Sequence, residues 1–133
     1  MSGTIVVGYV PRPEGKAALE RAVDEAQLRG AKLVVVNSHK GGQDYAVAEA
    51  IRTEDELAEV TNLLDASEVE YEVRELVRGN EPGDDLLKVA EERDAIMIII
   101  GLRRRSPVGK LLLGSNAQKV LLQATCPVLA IKG

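Results

Sequence analysis

Three features of the sequence predict an α/β fold: a single domain over residues 1–133 with an open five-stranded parallel sheet and helices on both faces. Short apolar runs rich in β-branched residues alternate with longer stretches of helical periodicity, in the order βαβαβαβαβ. The runs TIVVGYV and AIMIII have no alternating wet side, as expected of strands buried on both faces. At 133 residues the chain reads as one domain, large enough for a real core. With three Tyr and no Phe or Trp, that core must be built from Val, Ile, Leu and Ala.

The elements follow in order. Thr4–Val10 reads as strand 1, and Pro11-Arg12-Pro13 ends it, with Pro13 suited to the first turn of a helix. From Glu14 to Leu28, the residues Ala18, Leu19, Ala22, Val23 and Ala26 fall on one helical face, and Gly30 stops the helix. Leu33–Val36 is strand 2. Ser38–Gln43 is polar around Gly41-Gly42 and reads as a loop. Thr53 and Glu56 have capping-box spacing, so a helix is expected from Thr53 to about Ala66, with Asp44–Ile51 undecided. Glu68–Val77 alternates Val69, Tyr71 and Val73 with Glu70, Glu72 and Arg74, the pattern of an edge strand with one wet side. Asn80-Glu81-Pro82 opens a helix through Leu86, Leu87, Val89 and Ala90. Ala95–Ile100 is strand 4, closed by Gly101. Ser115–Gln123 is a helix with Ser115 as its N-cap, since Ser115 and Gln118 again have capping-box spacing. Val128–Ile131, after Pro127, is strand 5.

In such sheets ligands sit beyond the carboxyl ends of the strands, where strand order reverses. With strand 1 central beside strand 4, the crevice falls between the Val10–Pro13 turn and the Gly101–Ser115 loop. That loop carries Arg103, Arg104, Arg105 and Lys110 without an acid. It therefore holds +4, which leaves −8 on the rest of a chain whose total is −4. A cationic loop running into a helix N-terminus on an acidic body describes a site for a small anion. Gly101 and Gly114 either approach that anion or serve strand–helix packing. Of three consecutive arginines only one or two can face inward.

Other signals are weaker. Gly109-Lys110 is not a phosphate-binding P-loop, because no glycine stands five residues earlier and Leu111 replaces the magnesium-binding hydroxyl. His39 reads as a solvated loop residue, and Cys126 as a small buried hydrophobe. A lone cysteine suits a reducing cytosol, and with no apolar run near 18 residues a cytoplasmic protein without membrane contact is expected. Scarce aromatics and negative charge oppose nucleic-acid binding. The clusters Glu54-Asp55-Glu56, Asp84-Asp85 and Glu91-Glu92 read as solvated surface. No Ser-His-Asp set, Cys-His cluster or nucleophile elbow is present, so a binding module and not an enzyme is expected. Val128, Leu129, Ala130 and Ile131 form an unprotected apolar edge, which predicts pairing with a second copy across a two-fold axis.

Gly101-(x2)-Arg104-(x9)-Gly114-Ser115 resembles the nucleotide-binding signature of the universal stress protein family, G-x2-G-x9-G-[ST]. The tail Cys126-Pro127-Val128-Leu129-Ala130-Ile131, the IVVG of strand 1 and the stretch LRGAKLVVV resemble the same family, in the same order. The resemblance implies a Rossmann-like fold of the adenine nucleotide alpha hydrolase type, with strand order 3-2-1-4-5, and a homodimer. In one branch it implies bound ATP or another adenine nucleotide, with Mg as a candidate companion ion. It further implies that Gly8, Tyr9, Val10 and Ser38, at the ends of strands 1 and 2, hold adenosine. Ribose and phosphates would then meet Gly101, Arg103, Arg104, Gly114, Ser115 and Asn116.

Two positions depart from the pattern. Val10 stands where the family has Asp, which removes an acceptor for adenosine, and Arg104 stands where it has Gly. The arginine gives up close backbone approach but offers a guanidinium fork to phosphates. A charge-assisted hydrogen bond contributes about 1.5–3 kcal/mol, enough to offset the lost acceptor. The expected function is a stress-response or sensing module that binds a nucleotide. The alternative is a nucleotide-free dimeric interaction protein of the same fold, whose arginine loop docks an acidic partner.

Overall fold

The computed structural model describes residues 3–39, 47–77, 81–102 and 114–132. Five strands, β1 (Thr4–Gly8), β2 (Lys32–His39), β3 (Tyr71–Val77), β4 (Met97–Leu102) and β5 (Val128–Lys132), form one sheet of order β3-β2-β1-β4-β5. All pairings are parallel, with Val6 opposite both Val34 and Ile98, and Gly101 opposite Ile131. The helices are α1 (Pro13–Arg29), α2 (Val47–Ser67), α3 (Pro82–Glu92) and α4 (Ser115–Gln123).

Alternation along the strands divides the core in two. Ile5, Val7, Leu33, Val35 and Ile99 pack under α1 and α2, with Ala18, Leu19, Ala22, Val60 and Leu64. Val6, Val34, Val36, Ile98 and Ile100 pack under α3 and α4, with Leu86, Val89 and Val120. Because each central strand is covered on both faces, its residues need no wet side, and this is why these stretches read as unbroken apolar runs. Among the described residues the buried hydrophobic side chains are aliphatic apart from Tyr9.

Several boundaries differ from those expected of the sequence. β1 ends at Gly8, although the Tyr9 N–H still donates to the Val36 carbonyl at 2.9 Å. β2 runs through Ser38 and His39, which lie opposite Leu76 and Val77 in the ladder and so do not begin a loop. Sheet hydrogen bonding overrode their polar composition. α2 starts six residues before Thr53, so Thr53 is interior and not a cap. The run Val47–Ile51 is rich in Ala and Glu, and extending a helix adds one bond per residue fixed, without a second nucleation. The stretch 40–46 lies outside the described residues.

β4 sits two residues later than expected and takes in Gly101. Glycine is needed there for packing: a Cβ would overlap the Glu14 carbonyl oxygen and lie 2.6 Å from its carbon, so the first turn of α1 could not seat. β3 is an edge strand, as its pattern implies. Its wet side is closed by ion pairs, Arg74 to Glu92 at 3.1 Å and Arg93 to Glu72 at 2.6 Å. The acidic clusters are not all solvated: Asp84 is exposed, whereas Asp85 is 2% exposed in the first turn of α3, where the helix dipole favours a carboxylate.

Candidate functional site

At the carboxyl ends of β1 and β4, where strand order reverses, a cleft of about 130 Å³ opens on the α3/α4 face. Gly8, Tyr9 and Val10 bound it from β1, and Ile100 and Gly101 from β4. Leu86 and Val120 help form its floor, while Pro82, Gly83, Asn116 and Ala117 supply the starts of two helices. Val10, at 38% exposed, stands on the rim, whereas the Tyr9 ring is buried toward α1 and α2.

The two helix starts are built differently. In α3, Pro82 has no N–H, and the Asp84 and Asp85 amides donate to the Glu81 carbonyl at 3.0 and 3.2 Å. The remaining amide, on Gly83, donates to Oδ1 of Asn116 at 2.8 Å. Asn116 thus caps α3 from the neighbouring helix, in place of a side chain of its own segment. In α4 the first helical bond runs from the Gln118 N–H to the Gly114 carbonyl, and among the described residues no side chain caps the helix. The amides of Ser115, Asn116 and Ala117 precede that ladder and carry the positive end of the dipole.

Ser115 is therefore the first helical residue and not the N-cap, a role that falls to Gly114 in extended conformation. A serine already in helical geometry cannot turn its hydroxyl back onto the amides of its own turn as a cap does. A Cβ on Gly114 would meet no described atom within 4 Å, so nothing in the described fold requires glycine there.

Of the residues singled out in the sequence, the structure gathers Gly8, Tyr9, Val10, Gly101 and Asn116 at the cleft. Gly114 and Ser115 are exposed and directly precede Asn116. Ser38 stands near the carboxyl end of β2, and its side chain lies outside the described residues. Arg103, Arg104, Arg105 and Lys110 lie outside the described residues. Sequence reasoning missed the contribution of α3: Pro82, Gly83 and Leu86. The signal was present, because a helix following a parallel strand starts at the same sheet edge as the strand's carboxyl end.

A larger groove of about 460 Å³ lies at the opposite edge, lined by Glu91, Asp94, Thr125 and Cys126 among others. There α3 and α4 end, and their terminal carbonyls with Glu91 and Asp94 make a negative surround that repels anions. Burial pushes the Cys126 thiol up from its ordinary pKa, partly opposed by a backbone hydrogen bond, which disfavours the reactive thiolate. Among the described residues no group of His, Cys, Asp and Glu gathers to hold a metal ion. No described helix is long and apolar enough to cross a membrane.

The universal stress protein family matches residues 1–132. The chain belongs to the universal stress protein family. It is similar to a universal stress protein of Mycolicibacterium smegmatis, 43% identical over 128 residues and covering 96% of each chain. Among solved structures it is similar to a universal stress protein from Archaeoglobus fulgidus, 39% identical with a TM-score of 0.85 over 99% of this chain and 100% of that one. Another from Archaeoglobus fulgidus, solved in complex with dAMP, is 32% identical with a TM-score of 0.76, covering 99% of this chain and 98% of that one. The strand order 3-2-1-4-5 implied by the resemblance to universal stress proteins is the order observed.

Proposed function

We propose that the cleft between β1 and β4 binds an adenine nucleotide, and that the protein is a homodimeric, cytoplasmic stress-response or sensing module without dedicated catalytic machinery. The observation that carries this reading is the pairing of an apolar cleft with an uncapped helix start. The apolar floor suits a flat purine, and the amides of Ser115, Asn116 and Ala117, which no described group meets, suit a phosphate. Gly114 lets backbone approach such a group closely, which accounts for a glycine that packing leaves unexplained. The dAMP complex of the 32% identical relative supports the same class of ligand. Pockets for whole ligands run roughly 300–1,000 Å³, so the described cleft has room for one ring system and leaves sugar and phosphates at its mouth. Arg103 and Arg104 follow β4 in the sequence and are the cations proposed to meet the phosphates. The described residues offer no acidic cluster for Mg, so any magnesium would be held chiefly by the phosphates.

Thermal unfolding with ATP, ADP, AMP and adenosine tests this reading. Midpoints should rise with each nucleotide and least with adenosine, since a ligand that binds only the folded state stabilises it by mass action. No shift with any of them, and no nucleotide released on denaturing the purified protein, would favour the partner-docking alternative.

The dimer rests on β5. Val128 to Ile131 are all half-buried, no charge interrupts them, and Leu121 and Leu122 of the adjoining α4 are 39% and 84% exposed. Sedimentation at micromolar concentration should give twice the chain mass, and Leu129→Lys should give monomers. A wild-type monomer would contradict this part of the proposal.

A further inference from the structure

We infer that Asn116 is an amide of fixed polarity, whose Nδ2 donates to an anionic oxygen of the bound nucleotide. This rests on the nucleotide reading of the cleft. The Gly83 N–H can be met only by an acceptor, and Oδ1 meets it at 2.8 Å. The flipped amide would set N–H against N–H, so the orientation is decided by chemistry.

The seat is also closed by shape. A Cβ on residue 83 would lie 3.0 Å from Oδ1, 3.1 Å from the Asn116 carbonyl oxygen and 3.2 Å from its Cα, so only glycine leaves the amide where it is. Further along the same pair of helices, Lys119 Nζ meets the exposed Asp84 carboxylate at 3.1 Å, a second link between them. With Oδ1 turned to α3, the end of this cleft-lining residue that is left unengaged is Nδ2 with its two donors, and one lone pair of Oδ1 is already taken. It belongs to the same turn as the open amides of α4, where the dipole favours negative charge. Asn116 is thus a specificity-determining residue that selects an anionic oxygen and also ties one wall of the cleft to the other.

Asn116→Asp separates the two roles from Asn116→Ala. The aspartate keeps an acceptor for Gly83 but replaces the donors with a negative charge; alanine removes both. Without ligand, N116D should melt with the wild type and N116A below it. N116D should weaken AMP binding at least about tenfold, by losing a charge-assisted bond and adding repulsion, and should weaken adenosine binding by a smaller factor. Wild-type affinity for AMP in N116D would overturn the inference, as would equal losses for AMP and adenosine. An N116D melting point as low as that of N116A would overturn the fixed polarity. If the wild type binds neither AMP nor adenosine, the nucleotide reading fails and this inference with it. Wild-type binding that N116D leaves intact sinks this inference alone.

Discussion

Helices α3 and α4 begin side by side on the same cleft, yet one start is closed and the other open. In α3 every first-turn amide is accounted for inside the protein: Pro82 has none, Glu81 receives two, and Asn116 takes the last. In α4 three amides stand ahead of the ladder behind a glycine that makes no cap bond. Both ends carry the same dipole, so the dipole alone does not make an anion site. What distinguishes them is whether the protein has already satisfied the donors. By this criterion the proposed anion site is Gly114–Ala117, and α3 serves as a wall of the cleft.

The largest expected effect comes from closing the open end. Gly114→Asp places a good N-cap at extended backbone, with no described atom to obstruct it. It should raise stability by a few tenths of a kcal/mol, because aspartate caps slightly better than glycine. It should also cost at least about tenfold in AMP affinity, because the carboxylate occupies the amides and repels phosphate. Chemical denaturation and a binding titration read the two opposed changes; a stability gain with unchanged affinity would erase the distinction between the helices.

Disturbing the closed end should instead act through stability. Gly83→Ala gains up to about 1 kcal/mol of helix preference. It also drives a methyl into Asn116 backbone and amide atoms, at a cost of about 1–3 kcal/mol. A net loss of about 1 kcal/mol in denaturant unfolding is expected, with N116A showing a smaller loss when combined with it than alone. Additive losses would mean that Gly83 and Asn116 are not one unit.

The smallest effect separates the structure from the sequence motif. If Ser115 were the N-cap, Ser115→Ala would cost about 1 kcal/mol. As the exposed first helical residue without a cap bond, it should cost less than about 0.5 kcal/mol in equilibrium unfolding.

The same contrast explains what the sequence made legible. Strand order, layers and the location of the crevice follow from apolar periodicity and chain order, which are properties of long segments. The caps differ from expectation because capping-box spacing occurs at Thr53 and Ser115 without capping geometry. At Thr53 the preceding helix-favouring run continued the helix, whereas α4 spans Ser115–Gln123 as expected and only the cap role passes to Gly114. Gly101 and Gly114 look equivalent in a signature, yet only the structure assigns the first to the Glu14 backbone and leaves the second open. Asn116 was placed at the site by its neighbours in sequence; its bond to Gly83, 33 residues away, is a tertiary contact that no local pattern encodes.

Calorimetric titration of AMP into the wild type and Gly114→Asp tests the central claim most directly. The account predicts saturable heat with one site per chain in the wild type, sharply weakened in a variant that is at least as stable. Absence of heat in the wild type, or equal affinity in both proteins, would contradict it.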